Sequence, residues 1–124
     1  MLTFLWISLG AILGANARYI LSRYLAKTLS PIFPFSTLLI NASGSLVVGF
    51  FIAWTSERVL VDPRWRLFLV VGFCGGFTTF SSYAYETIAY FQQGQWLLLG
   101  TNIAANNLLS MLAVLTGIVL ARVL

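Results

Sequence analysis

Four stretches of about twenty mostly apolar residues fill most of this 124-residue chain. A helix needs about 20 such residues to cross the hydrocarbon core of a bilayer. Only 8% of the residues are charged, whereas soluble domains carry about 25%, and a chain this short cannot bury so much apolar surface within itself. The sequence therefore predicts an all-α membrane protein of one domain, with spans at residues 2–21, 35–54, 67–91 and 96–121.

The links between the spans predict their arrangement. The QQGQ link at 92–95 is so short that the last two spans must form a hairpin, while an SPIFP turn at 30–34 precedes the second span. Four spans place both termini and the 57–66 link on one side of the membrane. Basic residues are then nearly balanced between that side and the other: Arg58, Arg64, Arg66 and Arg122 against Arg23, Lys27 and, if it reaches that far, Arg18.

This balance leaves the orientation of the chain open. An excess of Lys and Arg normally marks the cytoplasmic side. Near equality is a weak signal for one orientation, or it indicates that the chain inserts both ways round and forms an antiparallel dimer. Four short spans enclose little space, so either interpretation predicts an oligomer.

Several classes of function are excluded by what the sequence lacks. There is no histidine, and Cys74 is the only cysteine, which rules out a disulfide within one chain and a His/Cys metal cluster. The three acidic residues are too far apart to suggest a catalytic carboxylate pair, so an enzyme is not expected. The net charge of +4 is interpreted as a topology signal and as affinity for anionic membrane lipid, not for nucleic acid.

The third span contains the segment GFCGGFTTFSSY, residues 72–83. Two adjacent glycines cost about 1 kcal/mol each in helix propensity, and four hydroxyl residues follow them. One interpretation is a helix broken in mid-membrane, which must face protein or water because lipid cannot satisfy free backbone groups. The other is a continuous helix whose small residues pack closely against a neighbour. The pattern alone does not decide between them.

Polar residues also interrupt the second and fourth spans. Asn102, Asn106 and Ser110 recur every four residues and so share one helix face. They either join helices by hydrogen bonds or line a polar track. Asn41 lies among leucines in the second span, where its amide needs partners and could donate to an anion.

Two charged residues lie near the ends of the spans, Arg18 and Glu86. Ionisable residues inside a membrane are candidates for function. Their positions near the span ends also allow the simpler explanation that the side chains reach the membrane surface.

The segment GFCGGFTTFSSY, followed by Glu86, resembles the broken third helix of the Fluc (CrcB) fluoride channels. The resemblance covers essentially the whole chain, because GANARY (14–19), TLLINASGS (37–45) and DPRWR (62–66) follow in the expected order. It implies a passive fluoride-selective channel in the bacterial plasma (inner) membrane, which exports fluoride from the cytoplasm. It also implies an antiparallel, dual-topology homodimer with two pores and a structural sodium ion on the dimer axis.

The resemblance also assigns residues to these roles. Sodium would be held by the backbone carbonyls of Gly75 and Thr78. Fluoride would pass residues that match the family's pore, with Arg18 and Glu86 in the vestibule. The expected pore residues are Asn41, Phe80, Tyr83, Ser110, Thr79, Ser81 and Asn106.

The chain departs from the family pattern at two positions. Tyr83 adds a hydroxyl to a ring that is Phe in the family, and this hydroxyl could donate to fluoride or obstruct the path. Val114 stands where some relatives have threonine. The alternative functions are a small dual-topology, proton-coupled multidrug transporter, which would want an acidic residue in the first span, and a non-conducting helical partner. The first acidic residue here is Glu57.

Overall fold

The computed structural model describes residues 2–57 and 61–124, and all regular structure in these ranges is helical. Arg58, which entered the comparison of basic residues above, lies outside the described residues. The helical elements are α1 (Leu2–Thr28), α2 (Phe35–Glu57), α3 (Pro63–Arg66), a π-helical segment (Leu67–Cys74), α4 (Gly75–Phe77), α5 (Phe80–Gln92) and α6 (Trp96–Val123).

Four helical stretches are long and apolar enough to cross a membrane: Leu2–Thr28, Phe35–Glu57, Pro63–Gln92 and Trp96–Val123. Among the described residues, the prediction of four helices suited to cross a membrane is thus confirmed. The predicted spans lie inside these stretches, but the helices run further. Hydropathy marks only the part of a helix that suits hydrocarbon, whereas backbone hydrogen bonding continues into polar residues such as those around Arg23 and Lys27.

Local sequence explains how the third and fourth stretches begin. Asp62 caps α3, since its carboxylate accepts from the Arg64 N–H at 2.9 Å. Pro63 follows at the first helical position, where the absence of its N–H costs nothing. Before α6, Gly94 adopts a positive φ of 67°, which glycine tolerates without strain. The chain reverses here and joins α5 to α6 as the predicted hairpin.

The third stretch is not uniformly α-helical. It begins with a π-helical segment, in which each turn is wider than in an α-helix. Helical conformation then stops after Phe77 and resumes at Phe80, because Thr78 and Thr79 have extended backbones, with ψ angles of 159° and 112°. The Thr79 hydroxyl accepts from the Ser82 N–H at 3.2 Å and so caps α5.

Glycines allow the helices to approach closely in two pairs. The first stretch packs against the π-helical segment and α4, and α2 packs against α6. A Cβ at Gly10 or Gly14 would collide with backbone atoms of Phe73. A Cβ at Gly49 would meet the Val114 backbone in the same way. Because lipid gives helices no hydrophobic reason to associate, this close contact is a main source of their attraction.

Candidate functional site

A cavity of about 360 Å³ opens beside the interruption in the third stretch, between α2, α5 and α6. Its lining combines hydroxyls, amides and two aromatic rings, and none of the described residues that line it is charged. The lining residues are Asn41, Ser45, Val48, Thr78, Thr79, Phe80, Tyr83, Asn106, Asn107, Ser110, Met111 and Val114.

The side chain of Asn41 holds the extended backbone at Thr79. Its Oδ1 accepts from the Thr79 N–H at 2.8 Å, and its Nδ2 donates to the Thr79 carbonyl at 3.1 Å. An N–H can only donate and a carbonyl can only accept, so these two contacts fix the orientation of the amide. Asn41 thereby satisfies backbone groups that the interruption removes from helical pairing, as a membrane interior requires.

A ladder of side chains continues from Asn41 along α6. Asn41 Nδ2 also donates to Asn106 Oδ1 at 3.2 Å, and Asn106 Nδ2 donates to Asn102 Oδ1 at 2.9 Å. Asn102 Nδ2 then donates to the Thr87 hydroxyl at 3.0 Å, which donates to the Tyr83 carbonyl at 2.7 Å. Asn102 is fully buried. The ladder ties α2, α5 and α6 together around the cavity.

Two aromatic residues form the α5 side of the cavity. The ring centroids of Phe80 and Tyr83 lie 5.4 Å apart with an edge-on tilt of 63°. Aromatic rings carry positive charge at their edges. The Tyr83 hydroxyl accepts a hydrogen bond from Asn107 Nδ2 at 3.2 Å. Phe80 is 78% exposed in the protomer, so the cavity opens at the surface of a single chain.

A second cavity, of about 320 Å³, lies on the other side of the interruption, against α1. Arg18 and Ser81 both line it, together with Thr37 and Ser82. Arg18 Nη1 donates to the Thr78 carbonyl at 3.3 Å. The described lining of this cavity is thus polar and includes the cation Arg18, unlike that of the first cavity.

Glu86 pairs with a residue of α2. The Thr37 hydroxyl donates to Glu86 Oε1 at 2.6 Å. Glu86 Oε2 is buried without a hydrogen-bond partner among the described residues. Neither cavity's lining includes Glu86, although Thr37 lines the second.

Gly75 is the first residue of α4, and Thr78 follows its last residue, Phe77. In a continuous α-helix the Thr79 N–H would donate to the Gly75 carbonyl, but here it donates to Asn41. Gly75 is exposed, and a Cβ there would meet only the Val70 carbonyl oxygen, at 3.9 Å. Packing within the protomer therefore does not require glycine at this position. Within residues 2–57 and 61–124, no three His, Cys, Asp or Glu side chains cluster as metal ligands.

The family model described as CrcB-like protein, Camphor Resistance (CrcB), matches residues 5–118. The chain belongs to the CrcB family. The resemblance inferred from the sequence is thus confirmed.

Relatives of this CrcB chain include three that are each named fluoride-specific ion channel FluC. The relative from Koribacter versatilis is 57% identical over 96% of this chain and 94% of its own length. The relative from Paramagnetospirillum magneticum is 44% identical over 100% of this chain and 98% of its own length. That from a Sulfurihydrogenibium species is 43% identical over 98% of both chains. These are names of ion channels, not of enzymes.

Most residues that the sequence singled out in this CrcB protein meet around the interruption. Ser81, however, lines the second cavity, and Gly75 lines neither. The first cavity brings together the rest of the predicted pore: Asn41, Thr79, Phe80, Tyr83, Asn106 and Ser110.

Sequence reasoning missed two polar partners in the CrcB structure, Thr37 and Thr87. Both had a detectable signal. Thr37 lies one helical turn before Asn41, and Thr87 lies one turn after Tyr83. Threonines are common in membrane helices, where they often bond only to their own backbone, so spacing alone did not distinguish these two.

Proposed function

We propose that this chain is a fluoride-selective channel through which fluoride leaves the cytoplasm passively. The observation that carries the proposal is the cavity beside the interrupted helix in a member of the CrcB family whose relatives are named fluoride channels. No step of this function needs an enzyme's catalytic group.

The lining of the cavity suits a small anion. A fixed cation would hold fluoride too tightly to release it, whereas conduction needs several weak sites. The edges of the Phe80 and Tyr83 rings and the Ser110 hydroxyl offer such sites. The sequence suggests that Asn41 donates directly to an anion, but both of its amide hydrogens are already engaged, with the Thr79 carbonyl and Asn106 Oδ1. It could donate to fluoride only by releasing one of these bonds, and its first role is to hold the interruption open.

Polar groups on the outside of the protomer support an antiparallel homodimer in the inner membrane. Gly75, Ser81 and Asn107 are exposed within helices that cross the membrane. Lipid chains satisfy none of their hydrogen-bonding groups, whereas a second copy could cover them. The near balance of basic residues on the two sides favours copies inserted in opposite directions.

A structural sodium ion would bind at the carbonyls of Gly75, which begins α4, and Thr78, which follows it. Hard cations take oxygen ligands, and the Gly75 carbonyl has lost its usual helical donor to Asn41. The Thr78 carbonyl accepts from Arg18, which leaves a second lone pair available. Sodium would supply positive charge that links the two copies, and the exposure of Gly75 leaves room for a partner.

Fluoride chemistry gives the direction of transport. The weak acid HF crosses membranes without a channel and dissociates in neutral cytoplasm, which traps fluoride inside. A membrane potential that is negative inside drives an anion outward by about 2.3 kcal/mol per 100 mV. A passive channel is therefore sufficient for export.

Efflux from proteoliposomes tests this function, with fluoride and chloride measured side by side. We expect rapid electrical leak of fluoride and none of chloride. Phe80→Ile and Asn41→Asp should each reduce fluoride efflux sharply. If both variants show wild-type efflux, fluoride does not pass through the first cavity. A proton-coupled drug transporter would show neither leak, and α1 has no acidic residue for its proton site.

Labelling from one side of the membrane tests the antiparallel dimer. The variant carries Cys74→Ser and one new cysteine after Leu124, and intact cells receive a thiol reagent that cannot cross membranes. We expect about half of the copies to react. Reaction of all copies or of none would exclude dual topology.

A further inference from the structure

Tyr83 lines the first cavity, and its hydroxyl oxygen contacts Asn107 of α6. Asn107 Nδ2 donates to the Ile103 carbonyl at 2.8 Å and to the Tyr83 hydroxyl oxygen at 3.2 Å. Because a carbonyl only accepts, the contact with Ile103 identifies this atom of Asn107 as the nitrogen. The Tyr83 oxygen is therefore the acceptor in the second bond.

The Tyr83 hydroxyl consequently has a proton to give. A phenol has one hydrogen to donate and lone pairs that accept, and Asn107 occupies a lone pair. Among the described residues, no protein atom accepts the Tyr83 proton, and the side chain is half-buried. A half-buried donor without an acceptor is unfavourable, so the site is suited to a ligand that accepts.

The neighbouring amides of Asn41 and Asn106 have no free hydrogen to donate to a ligand in the cavity. Asn41 donates to Thr79 and Asn106, and Asn106 donates to the carbonyl and side-chain oxygens of Asn102. Ser45 and Ser110 also line the cavity without a protein partner among the described residues, but no neighbour fixes their hydroxyls. Tyr83 is thus the donor whose position is set in advance.

We propose that Tyr83 donates its hydroxyl hydrogen bond to the anion in the first cavity, and that Asn107 is the positioning residue that aims it. The inference rests on the proposed fluoride channel and adds a binding contact to its path. Of the two possibilities raised by the sequence, it favours a hydroxyl that donates over one that obstructs.

The test is the single-channel fluoride current, measured over a wide range of fluoride concentrations. A single-channel measurement reports only on assembled channels, so it is not affected by protein that fails to fold. Tyr83→Phe keeps the ring and removes the donor. We expect its current to fall about tenfold at low fluoride, the usual scale for a hydrogen bond to a charged group, and to approach the wild-type current at high fluoride. Tyr85→Phe is the matched control, since Tyr85 lies on the same helix, is 78% exposed and lines neither cavity.

Asn107→Leu provides a second, independent variant. It keeps the Tyr83 hydroxyl but releases its orientation, so we expect a loss of about threefold at low fluoride. In the Tyr83→Phe background the same change should have no further effect, because the group that Asn107 orients is gone. A purely structural role would lower the current equally with and without the hydroxyl.

Two outcomes would overturn the inference while the channel stands. They are a Tyr83→Phe current equal to that of Tyr85→Phe at every concentration, and a current higher than wild type, which would mean that the hydroxyl obstructs. Absence of fluoride current in the wild-type protein would instead overturn the proposed function.

Discussion

Asn41 and Thr79 form a paired contact across 38 positions of the chain: the Asn41 side chain accepts from the Thr79 N–H at 2.8 Å and donates to the Thr79 carbonyl at 3.1 Å. This pairing replaces hydrogen bonds that a continuous helix would make. It explains how extended backbone at Thr78 and Thr79 persists within a stretch that is otherwise helical. It also joins α2 to the wall of the first cavity.

Replacing Asn41 by Asp should therefore lower the stability of the fold as well as reduce fluoride efflux. An ionised carboxylate has no hydrogen to donate, so the Thr79 carbonyl and Asn106 Oδ1 would both face an acceptor. We expect the free energy of unfolding to fall by about 1–3 kcal/mol in a detergent titration. The control is Asn16→Asp, because the Asn16 amide donates to Ile12 of its own helix. Equal stability of the two variants would contradict the role given to Asn41.

The buried ladder can be tested by removing one hydroxyl. Thr87→Val leaves the Asn102 amide without its acceptor, and we expect a loss of about 1 kcal/mol of unfolding free energy. Thr116→Val is the matched control, since both hydroxyls donate to the carbonyl four residues earlier, at 2.7 and 2.8 Å. Thr116, however, lies on the exposed side of α6. If the two valines cost the same, the ladder contributes nothing measurable.

The contact between Thr37 and Glu86 gives a third prediction. Thr37→Val removes the donor at 2.6 Å from Glu86 Oε1, and Oε2 already has no partner among the described residues. We expect a loss of about 1.5–3 kcal/mol, the range for hydrogen bonds to charged groups. Thr55→Val in the same helix removes a hydroxyl that donates to the Phe51 and Ile52 carbonyls, and it should cost less. The measurement is again unfolding by detergent titration, and a reversed order would refute the assignment.

Close packing of α1 can be tested with a single methyl group. A Cβ at Gly14 would collide with the Phe73 backbone, so Gly14→Ala should lower the free energy of unfolding by about 1–3 kcal/mol. Gly100→Ala serves as control, because nothing lies within 4 Å of a Cβ there. Alanine at position 100 should be neutral or slightly stabilising through helix propensity. A stable Gly14→Ala protein would mean that the two helices can separate without cost.

Sequence alone determined the elements of this protein because membrane spans depend on local composition. A helix satisfies its own backbone hydrogen bonds within the segment, as hydrocarbon requires, so the four spans could be predicted from local composition and the hairpin from the short QQGQ link. The segment GFCGGFTTFSSY marked an unusual part of the third span, but its pattern left open whether the helix breaks there or packs closely against a neighbour.

Only the tertiary structure decided which polar groups remain free to act. The sequence placed Asn41 and Asn106 among candidate donors, but it could not show that they bond to each other across 65 positions. Nor could it show that Thr87 accepts from Asn102, or that Asn107 leaves the Tyr83 proton available. Whether a donor's hydrogen is already engaged depends on acceptors that distant segments bring within about 3 Å of it, and no local pattern records that distance.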